Sequence, residues 1–131
     1  MNFSYTTFNI DDAQIKSSDD EGNVELSCKV TNTGDIKGRE VVQIYVHDEE
    51  SRLARPYKEL KAFGKTKDLN SKQSEVLSFK LNKRSFSYFD DFKHKWVLEP
   101  GAFQILVSTS SSQADVHAIL NYEVTKGLEY I

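Results

Sequence analysis

The 131-residue chain carries 17 basic and 20 acidic side chains spread along its length, for a net charge of −3. That spread argues against a nucleic-acid binder, which gathers Lys and Arg on one face, and no apolar run approaches the roughly 18 residues a membrane-spanning helix needs. The length allows one domain with one core, burying roughly two-thirds of the surface an unfolded chain exposes.

In chain order, Phe3, Tyr5, Phe8 and Ile10 predict a first strand that bulges between Tyr5 and Phe8. Val24, Leu26, Cys28 and Val30 alternate with Glu25, Ser27, Lys29 and Thr31, the period-two pattern of a strand with one dry face. Asn32-Thr33-Gly34-Asp35 supplies turn chemistry, and Gly38 breaks the chain again. Glu40 to Asp48 follows, apolar on both faces, as expected of a central strand or of one covered by a neighbour. Asp48 to Pro56 is polar, and Arg55-Pro56 bars a central strand there.

Strand character resumes from Glu59 to Leu69, and Asn70-Ser71-Lys72 turns the chain into Leu77, Phe79 and Leu81. The basic run Lys58 to Lys67, interleaved with Leu60 and Phe63, reads as a strand with a solvated face. Leu81 to Phe92 permits one helical turn and no more, since Ser85, Ser87 and Asp90-Asp91 suit a helix interior poorly. Phe86, Tyr88, Phe89 and Phe92 form an aromatic corner. Lys95 to Glu99 is a short strand with Trp96, and Pro100-Gly101 turns into Phe103, Ile105 and Val107. A polar loop from Ser108 to Gln113 precedes a last strand from Val116 to Val124. About seven or eight short strands separated by turns predict an all-β, immunoglobulin-like sandwich of two antiparallel sheets.

Catalytic chemistry finds little purchase. The acidic pairs and runs Asp11-Asp12, Asp19-Asp20-Glu21, Asp48-Glu49-Glu50 and Asp90-Asp91 all fall in expected loops without the apolar surroundings that raise a carboxyl pKa. His47, His94 and His117 are widely separated, and the single Cys28 reads as a buried strand thiol. A lone cysteine forms no intrachain disulfide, and the expected compartment is cytoplasmic. No nucleophile elbow or phosphate-binding glycine loop occurs, so neither a catalytic residue nor a cofactor or metal site is assigned. A binding face is a second idea: Tyr45, Tyr57, Tyr88, Trp96 and Tyr122 could stack on sugars, although aromatic residues in sandwiches more commonly fill the core or brace a corner.

Read together, Val30-Thr31-Asn32-Thr33-Gly34, Gly38-Arg39-Glu40-Val41-Val42-Gln43-Ile44-Tyr45-Val46 and Arg55-Pro56-Tyr57-Lys58-Glu59-Leu60-Lys61-Ala62-Phe63 form a distinctive series. Phe89-Asp90, Trp96, Glu99-Pro100-Gly101-Ala102-Phe103, Ser110-Ser111-Ser112 and Asp115-Val116 continue it. The series closely resembles the fibronectin type III-like domain at the C-terminus of family 3 glycoside hydrolases, the β-glucosidase and β-xylosidase group. The resemblance runs from about Ser4 to Val116, and Ser4-Tyr5-Thr6-Thr7-Phe8 is similar to the junction with the preceding domain. Ala62 and Gly64-Lys65-Thr66 depart from the more usual Gly-Phe and Lys-Val.

The resemblance implies a non-catalytic accessory domain. In that family an aspartate nucleophile and an acid/base carboxylate both precede this segment, so no catalytic role falls on any residue here. The expected boundaries are 4–125 for the sandwich, with 1–3 and 126–131 as terminal extensions. The expected partners are the catalytic domains of the same parent chain, with neither nucleic acid nor membrane. The expected docking surface is Arg52, Arg55, Pro56, Tyr57, Lys58, Glu59 and Lys61 with Tyr5 and Phe8, anchored by the Arg55 fork. The alternative is a carbohydrate-binding module whose partner is a polysaccharide; a third is a protein-adhesion module.

Overall fold

Side chains that alternate dry and wet need a second dry layer to close on, and the chain supplies one by folding its strands into two stacked sheets. A computed structural model describes residues 6–49 and 58–131. Its strands are β1 (Phe8–Ser18), β2 (Val24–Asn32), β3 (Val41–Asp48), β4 (Glu59–Lys65), β5 (Ser74–Leu81), β6 (Tyr88–Asp90), β7 (Lys95–Leu98), β8 (Gly101–Ser108), β9 (Val116–Val124) and β10 (Leu128–Tyr130). One sheet runs β1-β2-β5, the other β4-β3-β8-β9, and a small third sheet runs β10-β7-β6. Every strand pairing among the described residues is antiparallel. Across the sandwich, β4 meets β5 and β1 meets β9.

The core lies between the two larger sheets. Val24, Leu26, Cys28 and Val30 of β2 and Leu77, Phe79 and Leu81 of β5 face Val42, Ile44 and Val46 of β3 and Phe103, Ile105 and Val107 of β8. Phe86 plugs one end, its ring 5.1 Å from Phe103 at 75° and 5.0 Å from Tyr122. It is delivered by a single 3₁₀ turn, Lys83–Phe86, which Asn82 caps by accepting from the Arg84 amide. This is the one turn that the sequence permits after Leu81. A second short 3₁₀ turn spans Gln113–Asp115.

Two features differ from the sequence reading. The first strand runs on to Ser18, so Asp11-Asp12 lies inside β1 and not in a loop. Register shifts between Asp11 and Gln14 and between Ile15 and Ser17 absorb the irregularity, with Asp12 at φ 55°. An edge strand tolerates such bulges because its outer side has no partner to lose. Asp48 and Asp90 likewise end strands, whereas Asp19-Asp20-Glu21 does lie in a turn. The tail, expected as a terminal extension over 126–131, pairs as β10 with β7, setting Leu128 opposite Leu98 and Tyr130 opposite Trp96.

Polar side chains tie the ends. Asn32 is fully buried and satisfied: its Nδ2 donates to the carbonyls of Ile36 and Leu69, and its Oδ1 accepts from the Thr6 hydroxyl and the Gly34 amide. At the other end the Tyr122 hydroxyl donates to the Asp19 carbonyl at 2.7 Å and accepts from the Gly22 amide at 2.8 Å. Gly22 sits at φ 96°, and a Cβ there would stand 2.7 Å from Lys83 Cα, so the turn requires glycine on two counts.

Candidate docking face on the four-stranded sheet

The second face of the four-stranded sheet is where an isolated sandwich should be wet. Alternation puts Tyr45 on the side opposite Ile44 and Val46. Register then carries that side across all four strands: Tyr45 pairs with Leu60 of β4 and with Leu106 of β8, and Leu106 pairs with Ile119 of β9. The result is an apolar row, Leu60-Tyr45-Leu106-Ile119, about 14 Å wide at the usual strand spacing. Tyr45 and Leu106 are buried although neither belongs to the core cluster, while Leu60 and Ile119 are each 48% exposed. Phe63, paired with Gln43 one step along, is 70% exposed.

Strand β4 explains how so much apolar surface points outward. A register shift between Ile44 and Tyr45 adds a residue to β4 at Lys61. Ala62 then packs on the core, and a Cβ on Gly64 would stand 2.9 Å from Phe79 Cε1. The large residues of the basic run, Leu60 and Phe63, are therefore the outward ones, and the small ones lie inward. The charged side chains frame them: Lys61 Nζ reaches Glu59 Oε2 at 3.4 Å, and Lys58 Nζ lies 4.7 Å from the centre of the Tyr45 ring.

Of the docking residues expected from sequence, Lys58, Glu59 and Lys61 come together on this edge. Phe8 does not join them; it packs half-buried against the core from β1, which faces β9 at the other side of the sandwich. Tyr5, Arg52, Arg55, Pro56 and Tyr57 lie outside the described residues. Phe63, Leu106 and Ile119 were not expected at a docking surface, and Tyr45 was considered only as a sugar-stacking ring, yet a signal existed. Tyr45 sits out of phase between Ile44 and Val46, and Leu106 between Ile105 and Val107.

The rings considered as a sugar platform are otherwise engaged. Tyr45 and Tyr122 are buried. The Trp96 ring meets the Arg84 guanidinium at 4.0 Å from its centre and the Phe89 ring in an edge contact at 5.5 Å. The Tyr88 hydroxyl donates to Glu99 Oε1 at 2.5 Å, and Tyr57 lies outside the described residues. Among the described residues no group of three or more His, Cys, Asp or Glu is placed to hold a metal ion. Burial raises the Glu40 carboxyl, opposed by the Val41 amide bonded to it. The Asp19 carboxyl is lowered by the Asn23 side chain and by the amides of Glu21 and Asn23, which gather around it as a turn. The first shift comes from burial and the second from the turn that closes around Asp19.

Comparison with known proteins agrees with the fold. A family model described as a fibronectin type III-like domain matches residues 40–111. A β-glucosidase of Bacteroides ovatus is 38% identical over 122 residues, 92% of this chain and 16% of its own length. A thermostable β-glucosidase of Acetivibrio thermocellus is 40% identical over 110 residues, 82% of this chain and 14% of its own. Among solved structures, the β-glucosidase of Kluyveromyces marxianus superposes with a TM-score of 0.89 at 35% identity, covering 98% of this chain and 15% of that one. The β-glucosidase 3B of Thermotoga neapolitana, solved with glucose, gives 0.87 at 30% identity, with 98% and 17% covered. The chain thus spans about a sixth of the length of the relatives it matches.

Proposed function

The chain belongs to the fibronectin type III-like domain family, and from that premise we propose that it serves as the accessory domain of a longer β-glycosidase, stabilising or orienting the catalytic domains of the same polypeptide. The observation that carries the reading is the match of nearly the whole chain to one small segment of several β-glucosidases. The exposed apolar side chains Leu60, Phe63 and Ile119 on the border strands of the four-stranded sheet support it, because apolar surface of this kind is what an interdomain contact leaves bare when the neighbour is removed. The parent would release a terminal β-linked glucose or similar sugar, using carboxylates supplied elsewhere in its sequence.

The 131-residue chain alone should release no chromophore from a chromogenic β-glucoside, and the longer polypeptide should. Turnover by the short chain above a buffer blank refutes the proposal. Calorimetric titration with soluble β-glucans tests the polysaccharide alternative; the accessory reading expects no binding heat, and saturable heat would overturn it. Arg55→Ala in the longer polypeptide should lower its melting temperature if that side chain anchors the contact, and unchanged stability and activity would remove Arg55 from the docking surface.

A further inference from the structure

The small third sheet brings three aromatic rings into one row. Register sets Tyr130 of β10 opposite Trp96 of β7, and Trp96 opposite Phe89 of β6. The Lys83–Phe86 turn lays two cations on that row. The Arg84 guanidinium lies 4.0 Å from the centre of the Trp96 ring, and Lys83 Nζ lies 4.2 Å from that of Tyr130. Hydrogen bonds fix both the turn and the ring: the Arg84 amide donates to Asn82 Oδ1, the Tyr130 hydroxyl donates to Ser87 Oγ, and Ser87 Oγ donates to the Lys83 carbonyl. Among the described residues neither cation spends its side chain on an ion pair or a hydrogen bond. The Glu129 carboxylate is taken by Lys93 and that of Glu99 by the Tyr88 hydroxyl, while Glu21 lines the same recess and pairs with neither cation.

The pair is open to a partner. Arg84 is exposed and Lys83 half-buried, and with Leu128 and Tyr130 they line a recess of about 530 Å³. Leu128 and Phe89 beside it are 40% and 45% exposed. Stacking uses the flat face of a guanidinium and leaves its N–H groups directed outward around the edge, where a carboxylate can accept two at once. Trp, Tyr and Arg are also the residue types that dominate binding hot spots. With a cation over each of two rings, this face presents charge in place of bare aromatic surface and calls for an anion before a neutral sugar.

We infer that this face receives an acidic segment of the neighbouring domain in the same polypeptide, whose Asp or Glu carboxylates take the Arg84 fork and Lys83 Nζ while apolar neighbours rest on Leu128 and Phe89. The inference rests on the accessory-domain reading and deepens it by naming a contact face and the chemistry of its partner. A free inorganic anion would meet the two charges and leave Leu128 and Phe89 wet; a protein segment covers both. The matched relatives carry most of their length outside the segment this chain resembles, which leaves ample sequence to supply it.

The test labels the 131-residue chain and the longer polypeptide side by side, with phenylglyoxal for arginine and an acetyl N-hydroxysuccinimide ester for lysine, and reads the rate at each residue by mass spectrometry. Modification of Arg84 and Lys83 should be about tenfold or more slower in the longer polypeptide, as for a face covered more than about nine-tenths of the time. Carbodiimide coupling then joins Lys83 Nζ to whichever carboxylate it touches, and the cross-linked peptide should come from outside these 131 residues. Equal labelling rates in the two lengths would overturn the inference. Protection without an external cross-link, or a cross-link to Glu21 alone, would overturn it as well, because the partner would then not be acidic. The accessory reading itself stands or falls separately, on the activity and titration experiments above.

Discussion

Tyr122 shows how one hydroxyl can hold two distant parts of the chain. Its ring packs on Phe86, and its oxygen links the Asp19 carbonyl to the Gly22 amide. Tyr122→Phe preserves the packing and leaves both backbone groups without this partner, so it should cost about 1–3 kcal/mol in urea unfolding. A cost below about 0.5 kcal/mol would mean that water substitutes for the hydroxyl freely. Cys28 gives a second test at this scale. Burial first, then the charge of Asp11, pushes its thiol from an ordinary 9.0 up to about 11. The native chain then holds the proton after the unfolded chain has lost it, so stability is full below about pH 9 and declines as pH rises toward 11. Cys28→Ala should flatten that alkaline decline; denaturation curves at pH 8 and pH 10.5 for both proteins check it, and equal slopes would refute it. The buried thiol was legible from Leu26 and Val30 on either side of it. The Tyr122 linkage was not, because a contact spanning a hundred residues leaves no mark on local periodicity.

At the scale of elements, period-two alternation locates β2, β3, β5, β8 and β9 because each has one face in the core and the other on a different surface. It fails on β1 and β4, where the extra residues fall within the strand, whereas the one in β9 lies at its start. Asp11-Asp12 reads as a turn to any local rule, yet β1 continues through it because the bulge puts Asp12 into a left-handed conformation and lets Ala13 and Ile15 return to the core. In β4 the inserted residue at Lys61 reverses the faces, and the bulky side chains that a hydrophobicity argument would send inward point out. Gly64 is the element-level check on that arrangement. Its missing Cβ lets Phe79 cross beneath β4, so Gly64→Val should force the ring aside and destabilise the domain by about 1–3 kcal/mol. Thermal melts would show it, and a neutral result would mean that Phe79 has an alternative rotamer with room to spare. The candidate site was half legible for the same reason. Lys58, Glu59 and Lys61 stand out in sequence, whereas Leu106 and Ile119 join them only through the register of β3, β8 and β9.

For the whole molecule, two stacked antiparallel sheets followed directly from spacing and turn chemistry, but the small third sheet did not. Its strands are three or four residues long, too short to declare a period, and β10 lies beyond the last recognisable motif. Yet β10 is structurally engaged: the Tyr130 hydroxyl donates to Ser87 Oγ at 2.9 Å, and Lys83 Nζ lies 4.2 Å from the centre of the Tyr130 ring. Lys93 Nζ also meets Glu129 Oε2 at 2.6 Å. Removing residues 126–131 should leave the sandwich folded but lower its melting midpoint by roughly 5 °C or more, and a truncated chain that melts with the full one would show that β10 adds nothing. The bulges have a last consequence, for crowding and heat. Three of the four lateral borders of the large sheets, β1, β4 and β9, meet their neighbours through a broken register, whereas β5 runs straight against β2 for its full length and shows Val76 to solvent. Kinked borders make poor templates for a foreign strand. Fibril seeding in a heat-stressed solution should therefore begin along β5, and a lysine in place of Val76 should delay it.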